Sequence, residues 1–236
     1  MNVDDVDDAV VPETSCRLGA IFNRQHELME KYGLIEWDDE MKTSIITTPI
    51  HLDDKYGQMK LKDFAWRITE ELTEATEALS IHPGLPQHWL EELSDAYHFL
   101  IELTLISGLD TQWLYDGIIK RTNHEETQFN EICGLTNCLE ICSVWIAPGN
   151  FQEYTTPRQY VYEVIQELGN AMNCLKQKPW KQTHIITDKE KFKKHMLLTH
   201  INFFRLINLT KLTADEWYRM YYKKSEVNKF RQRSNY

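Results

Sequence analysis

What this chain lacks narrows its reading before any motif is found. No run of about eighteen apolar residues occurs, so no transmembrane helix is expected. Glycine and proline are scarce, at 9 and 7 in 236 residues, and strand-type alternation is weak, which counts against a β-rich architecture. The five cysteines are an odd number with no CxxC pair, and no paired histidines accompany Cys133, Cys138 and Cys142. A disulfide framework is therefore not expected and zinc is a remote second choice; buried thiols in a reducing compartment fit better. No Glu-x-x-His occurs, only Asp95-x-x-His98, which counts against a carboxylate-bridged di-iron bundle. Base is short as well. With 26 Lys and Arg against 36 Asp and Glu, the net charge of −10 argues against general nucleic-acid binding. Residues 1–15 carry five acids and no base, the opposite of a signal peptide. Residues 1–13 are expected to be disordered, and the protein to be soluble and cytoplasmic.

What is abundant is helical spacing. Helices are expected at about 14–33, 60–80, 87–107, 110–130, 136–146, 157–177, 188–209 and 213–231, with loops at about 34–58 and 147–156, giving an all-α domain over about 14–236. The chain also resembles itself. Trp113 and Trp217 lie in similar contexts 104 residues apart, and Lys120-Arg121-Thr122 matches Lys223-Lys224-Ser225 at 103. Asp95–Leu100 aligns with His200–Arg205 at 105, and Glu71–Ala75 with Glu167–Ala171 at 96. An ordered series of this kind predicts two degenerate copies of one helical unit, about 14–130 and 136–236.

Acid is concentrated where it can act. Glu71 and Glu74 are three residues apart in one expected helix, and Glu92 and Asp95 are three apart in the next. On a helix such pairs share a face, so two acidic edges can meet across a helix pair. Four converging carboxylates repel unless a cation lies among them, and oxygen donors suit Mg²⁺ or Mn²⁺. Solvated helix faces also carry acids, but both edges here border apolar stripes: Ile68, Leu72, Ala75 and Leu79 in one, Leu90, Leu93, Tyr97 and Leu100 in the other. In the second copy Asn170, Leu197 and His200 stand for Glu74, Glu92 and Asp95, so that copy is expected to hold no metal. The basic side lies at the far end: residues 217–236 carry six bases against one acid. A basic tail on an acidic protein suits an anionic partner, and a phosphate chain would serve.

These features resemble a known family. Glu-Glu-x-x-Glu at 70–74, followed by Glu92-x-x-Asp95, is similar to the signature of the all-α, MazG-like nucleoside triphosphate pyrophosphatases. The tail Lys224-Ser225-x-x-Asn228-x-Phe230-Arg231-Gln232-x-x-Asn235-Tyr236 resembles the last motif of the dimeric dUTPases and phage dCTPase–dUTPases. Phe22–Leu28 is similar to their first motif, whose glutamine reads the pyrimidine. Asn235 replaces the family glycine and Ser225 an asparagine. The resemblance implies a Mg²⁺-dependent dUTP or dCTP diphosphatase, homodimeric, of the host cytoplasm if phage-encoded. It implies Glu71, Glu74, Glu92 and Asp95 as metal ligands, with Glu71 or Glu74 as the catalytic base. It implies Lys224, Asn228, Arg231 and Tyr236 toward phosphate and Gln25, Trp66 and His98 toward the base. A glutamine amide can rotate to suit either pyrimidine, so dUTP and dCTP stay unresolved. The other readings are a MazG-like enzyme of broader specificity and a non-catalytic helical module.

Overall fold

A computed structural model describes residues 2–32, 37–38, 43–44, 49–81, 87–122, 134–144, 156–178, 180, 182 and 184–233. Among these the protein is all-α. The helices are α1 (Arg17–Tyr32), α2 (Lys55–Ile81), α3 (Gln87–Ile106), α4 (Thr111–Thr122), α5 (Gly134–Val144), α6 (Pro157–Cys174), α7 (Lys189–Leu209) and α8 (Ala214–Arg233). The sole extended pairing among the described residues is a two-residue ribbon, β1 (Trp37–Asp38) antiparallel to β2 (Thr43–Ser44).

Local chemistry sets the helix ends. Ahead of α8, Glu216 N donates to Thr213 Oγ1 at 3.2 Å, and Thr213 N donates to Glu216 Oε2 at 2.7 Å. This reciprocal capping satisfies two otherwise orphaned donors. Thr156 caps α6, with Pro157 at the first helical position where its missing N–H costs nothing. Helix α2 starts at Lys55, about five residues before the apolar spacing suggests, because the Asp54 carboxylate accepts from Gly57 N. Helix α3 is stopped by Gly108, whose φ of +74° lies in the left-handed region.

Two antiparallel pairs organise the core, α2 against α3 and α6 against α7, with α2 also touching α6. Helix α2 buries Leu61, Phe64, Ile68, Leu72 and Ala75, one stripe at three- and four-residue spacing. Helix α3 is enclosed by α1, α2 and α8, and α7 by α4, α5 and α6. The apolar surfaces of α3 and α7 are thus largely covered within the chain. Tyr97 of α3 ties the halves together, its ring 5.1 Å from Phe203, 5.9 Å from Trp217 and 5.8 Å from Tyr221.

The acidic N-terminus packs on α8. Residues 3–5 and 8–10 form short 3₁₀ turns laid on α8. Val3 and Val6 bury against Val227, the Asp8 carboxylate meets Lys223 Nζ at 2.8 Å, and Tyr218 donates to Pro12 O at 3.0 Å. Composition alone predicts disorder; the basic face and apolar notch of α8 supply the ordering contacts.

Candidate active site

Four helices converge on one small cavity of about 190 Å³. Helix α3 contributes Asp95, His98, Phe99 and Glu102, a single face at i, i+3, i+4 and i+7. Helix α2 supplies Glu71, α1 supplies Gln25 and Leu28, and α8 supplies Asn228 and Arg231. Two larger clefts lie elsewhere, one lined by Lys176, Lys191, Lys194 and His195 and one by Arg17, Asp215 and Arg219; neither adjoins the carboxylate cluster.

At the α2–α3 seam, one oxygen each from Glu71, Glu74 and Glu92 lies within 4.8 Å of the others. Partial burial, then the neighbouring Asp95, Glu92 and Glu74 charges, push the Glu71 carboxyl up to about 8. Burial also raises Glu92, although its hydrogen bond with Glu71 and the nearby Lys224 and His88 oppose the rise. The set consists of oxygen donors that do not all tolerate ionisation together, which is the chemistry a divalent cation relieves.

Asp95 is arranged differently from the other three acids. Its Oδ2 meets Lys224 Nζ at 2.9 Å and its Oδ1 accepts from Asn228 Nδ2 at 3.1 Å. The structure therefore gathers three of the four expected ligands, while the Lys224 ammonium offsets the charge of the fourth and the Asn228 amide donates to it. The same contacts bring the basic tail of this chain to its own acidic edge. Arg231 lines the cavity mouth and is exposed. Tyr236, Asn235 and Cys133 lie outside the described residues.

Of the base-directed residues, Gln25 and His98 line the cavity and Trp66 does not. Trp66 is 62 % exposed, and its indole donates to Glu70 Oε1 at 2.7 Å, one turn along α2. Those two side chains satisfy each other on the outer face. His98 stacks on Tyr221 at 3.9 Å, and its Nδ1 lies 2.7 Å from Ser94 O. A carbonyl only accepts, so Nδ1 carries the proton; complete burial pushes the ring down to about 4 and keeps it neutral. The other nitrogen, Nε2, is buried without a partner.

Sequence reasoning missed three residues here. Arg24 is buried and clips α1 to α8, donating to Ser225 Oγ at 2.8 Å, pairing with Glu226 and lying over the Tyr222 ring. That contact gives Ser225 a structural occupation at the position where the family carries asparagine. Glu102 and Tyr221 were the other two. The signal for Glu102 was a single acid inside the apolar run Leu100-Ile101-Glu102-Leu103; for Tyr221, embedded in an aromatic-rich helix, there was none.

The acidic seam, the tail residues against it and the enclosed glutamine are joined by a direct comparison: the dUTPase family matches residues 82–236. This chain belongs to the dUTPase family. The match spans well over half of the chain and includes Glu92, Asp95, His98, Lys224, Asn228 and Arg231, while Gln25, Glu71 and Glu74 precede it. No curated protein and no solved structure matches the chain. As a dUTPase of the all-α type, it is a nucleotide hydrolase.

Proposed function

We propose that this dUTPase hydrolyses dUTP between the α and β phosphates, releasing dUMP and pyrophosphate, and that it requires Mg²⁺. The observation that carries the reading is Glu71, which belongs both to the three-carboxylate cluster and to the lining of the cavity that holds Gln25, Asn228 and Arg231. Glu71, Glu74 and Glu92 would hold the ion, with Asp95 available once Lys224 turns to phosphate; Mn²⁺ is a chemically reasonable substitute. When bound, Mg²⁺ supplies charge neutralisation for the triphosphate and polarises a water.

The chain's own groups supply the rest. The cavity is smaller than the roughly 300–1,000 Å³ of whole-ligand pockets, so it suits one part of a nucleotide, and its amide and imidazole suit the base. Lys224, Asn228 and Arg231 meet the phosphates from one face of α8, with the Arg fork matching phosphate oxygens. Water attacks the α phosphorus, its proton passes to Glu71, and the bond to the bridging oxygen breaks with pyrophosphate leaving. Glu71 suits that role because it is the carboxylate shared by the acidic cluster and the cavity. Glu74, more exposed, is the second candidate base.

The duplication belongs to the same proposal. The pairs α2–α3 and α6–α7 occupy matching places in the chain order, and the acidic cluster lies in the first. A homodimer is retained on the resemblance alone, and sedimentation velocity tests it. The deciding assay for the function is Glu92→Gln. Wild type releases pyrophosphate from dUTP only with Mg²⁺ present, and the variant is expected to lose at least about 100-fold in kcat while keeping its circular-dichroism spectrum. Full activity in the variant rejects the ligand assignment. Equal turnover of a purine triphosphate would move the reading to the broader MazG-like class.

A further inference from the structure

The Gln25 side chain is 2 % exposed and held from both ends. Its Nε2 donates to Glu102 Oε2 at 3.0 Å, and its Oε1 accepts from the Tyr221 hydroxyl at 3.0 Å. The order of the two amide atoms follows from chemistry. A carboxylate oxygen accepts from the amide N–H and a phenol hydroxyl donates to the amide oxygen, which is the order seen here. Both holders are themselves fixed. Glu102 is 6 % exposed inside α3, and Tyr221 is fully buried with its ring stacked on His98 at an interplanar angle of 5°. A free glutamine exchanges donor and acceptor by a half-turn; this one does not.

The consequence lies in what remains unused. Each holder takes one hydrogen-bonding position, which leaves Gln25 with one N–H and one lone pair. Beside them His98 Nε2 is buried without a partner. Gln25 thus offers the cavity a fixed donor and a fixed acceptor. Uracil presents carbonyl, N3–H, carbonyl along its edge; cytosine presents carbonyl, bare N3, amino group. Whichever uracil carbonyl takes the Gln25 N–H, the neighbouring N3–H meets Oε1. Cytosine in the same seat sets its N3 lone pair against Oε1, an unpaired and repulsive contact.

We propose that Glu102 and Tyr221 are the specificity-determining residues of this enzyme, acting as positioning groups that lock the Gln25 amide so that uracil is accepted and cytosine refused. This rests on reading the cavity as the base pocket. Neither residue needs to touch the nucleotide. In both halves of the clamp the partner lies far along the chain, on α3 and α8, so the selection is made where three helices meet.

The test measures kcat/KM for dUTP and for dCTP, with Mg²⁺, in wild type, Tyr221→Phe, Glu102→Gln, the double variant and Gln25→Ala. Tyr221→Phe removes only the hydroxyl, and glutamine at 102 keeps the shape while accepting either amide order; melting curves confirm that each variant folds. The expected result is a dUTP-to-dCTP ratio lowered at least about tenfold in the double variant, with dCTP efficiency rising in absolute terms. Packing damage cannot produce that rise. If both substrates fall together with the ratio preserved, while Gln25→Ala still loses selectivity, the clamp is refuted and the base pocket stands. If Gln25→Ala keeps wild-type efficiency and selectivity for dUTP, the base pocket is refuted and the clamp with it.

Discussion

At the scale of single residues, the acidic seam is a crowded cluster of carboxylates that the proposed cation would relax. Glu71 sits at about 8 in the folded protein against a usual value of 4.5. Its folded value is the raised one, so its favourable contribution is complete below about pH 4.5 and is lost as pH climbs through about 8. In chelator, the melting temperature is therefore expected to fall across that window, and Glu71→Gln should flatten the fall, as read by differential scanning fluorimetry. Metal binding requires the ionised carboxylates. The rise in melting temperature on adding Mg²⁺ should accordingly be larger at pH 8.5 than at pH 6. An equal Mg²⁺ increment at both pH values would contradict Glu71 as a ligand. Burial reverses the usual expectation for histidine at the same scale: His98 remains neutral, with Nε2 unprotonated, rather than acting as a pH-sensitive charge.

At the scale of elements, α3 and α8 decide how the site is assembled. Lys224 and Asp95 are 4 % and 14 % exposed, so their pairing is a nearly dry contact between two helices. Removing one partner of such a pair leaves a buried charge uncompensated, at a cost of about 3–5 kcal/mol. Lys224→Met is thus expected to destabilise the metal-free protein by that order in urea unfolding. Added Mg²⁺ should recover part of the loss, because Asp95 then gains another cation. The α2–α3 seam sets the spacing of the carboxylates through its apolar stripe. Leu72 lies between Glu71 and Glu74 in sequence and is fully buried. Leu72→Ala is expected to cost about 2–5 kcal/mol and to weaken Mg²⁺ affinity alongside, measured by calorimetric titration. Helix periods were readable from the sequence because apolar spacing at three and four residues survives without tertiary information. The early start of α2 was not, since it depends on one capping carboxylate ahead of the apolar pattern.

For the molecule as a whole, the N-terminal segment and α8 form one unit with the acidic edge of α3. Val3 and Val6 cover Val227, and Lys223, beside the Lys224 that pairs with Asp95, is itself held by Asp8. Deleting residues 1–11 is expected to lower the melting temperature by several degrees and to raise KM for dUTP, because α8 loses the contacts that seat it. Unchanged kinetics and melting would show that the segment contributes nothing to the site. The folded protein matches the negative charge of this segment to the basic flank of its last helix. Only the three-dimensional arrangement brings ends more than 200 residues apart into contact, as the Tyr218–Pro12 bond illustrates.

The sequence by itself determined the helical class, the eight helices and the pairing of acids on two faces, because these follow from periodicity and residue chemistry within a turn or two. It also carried the tail and first-motif residues whose likeness led to the right family. Tertiary structure alone decided which acids meet, that Asp95 answers to Lys224 and Asn228, that Trp66 faces outward, and that Gln25 lies between Glu102 and Tyr221. Each of those outcomes depends on what lies opposite a side chain across a helix interface, and spacing along one chain does not encode the opposing partner.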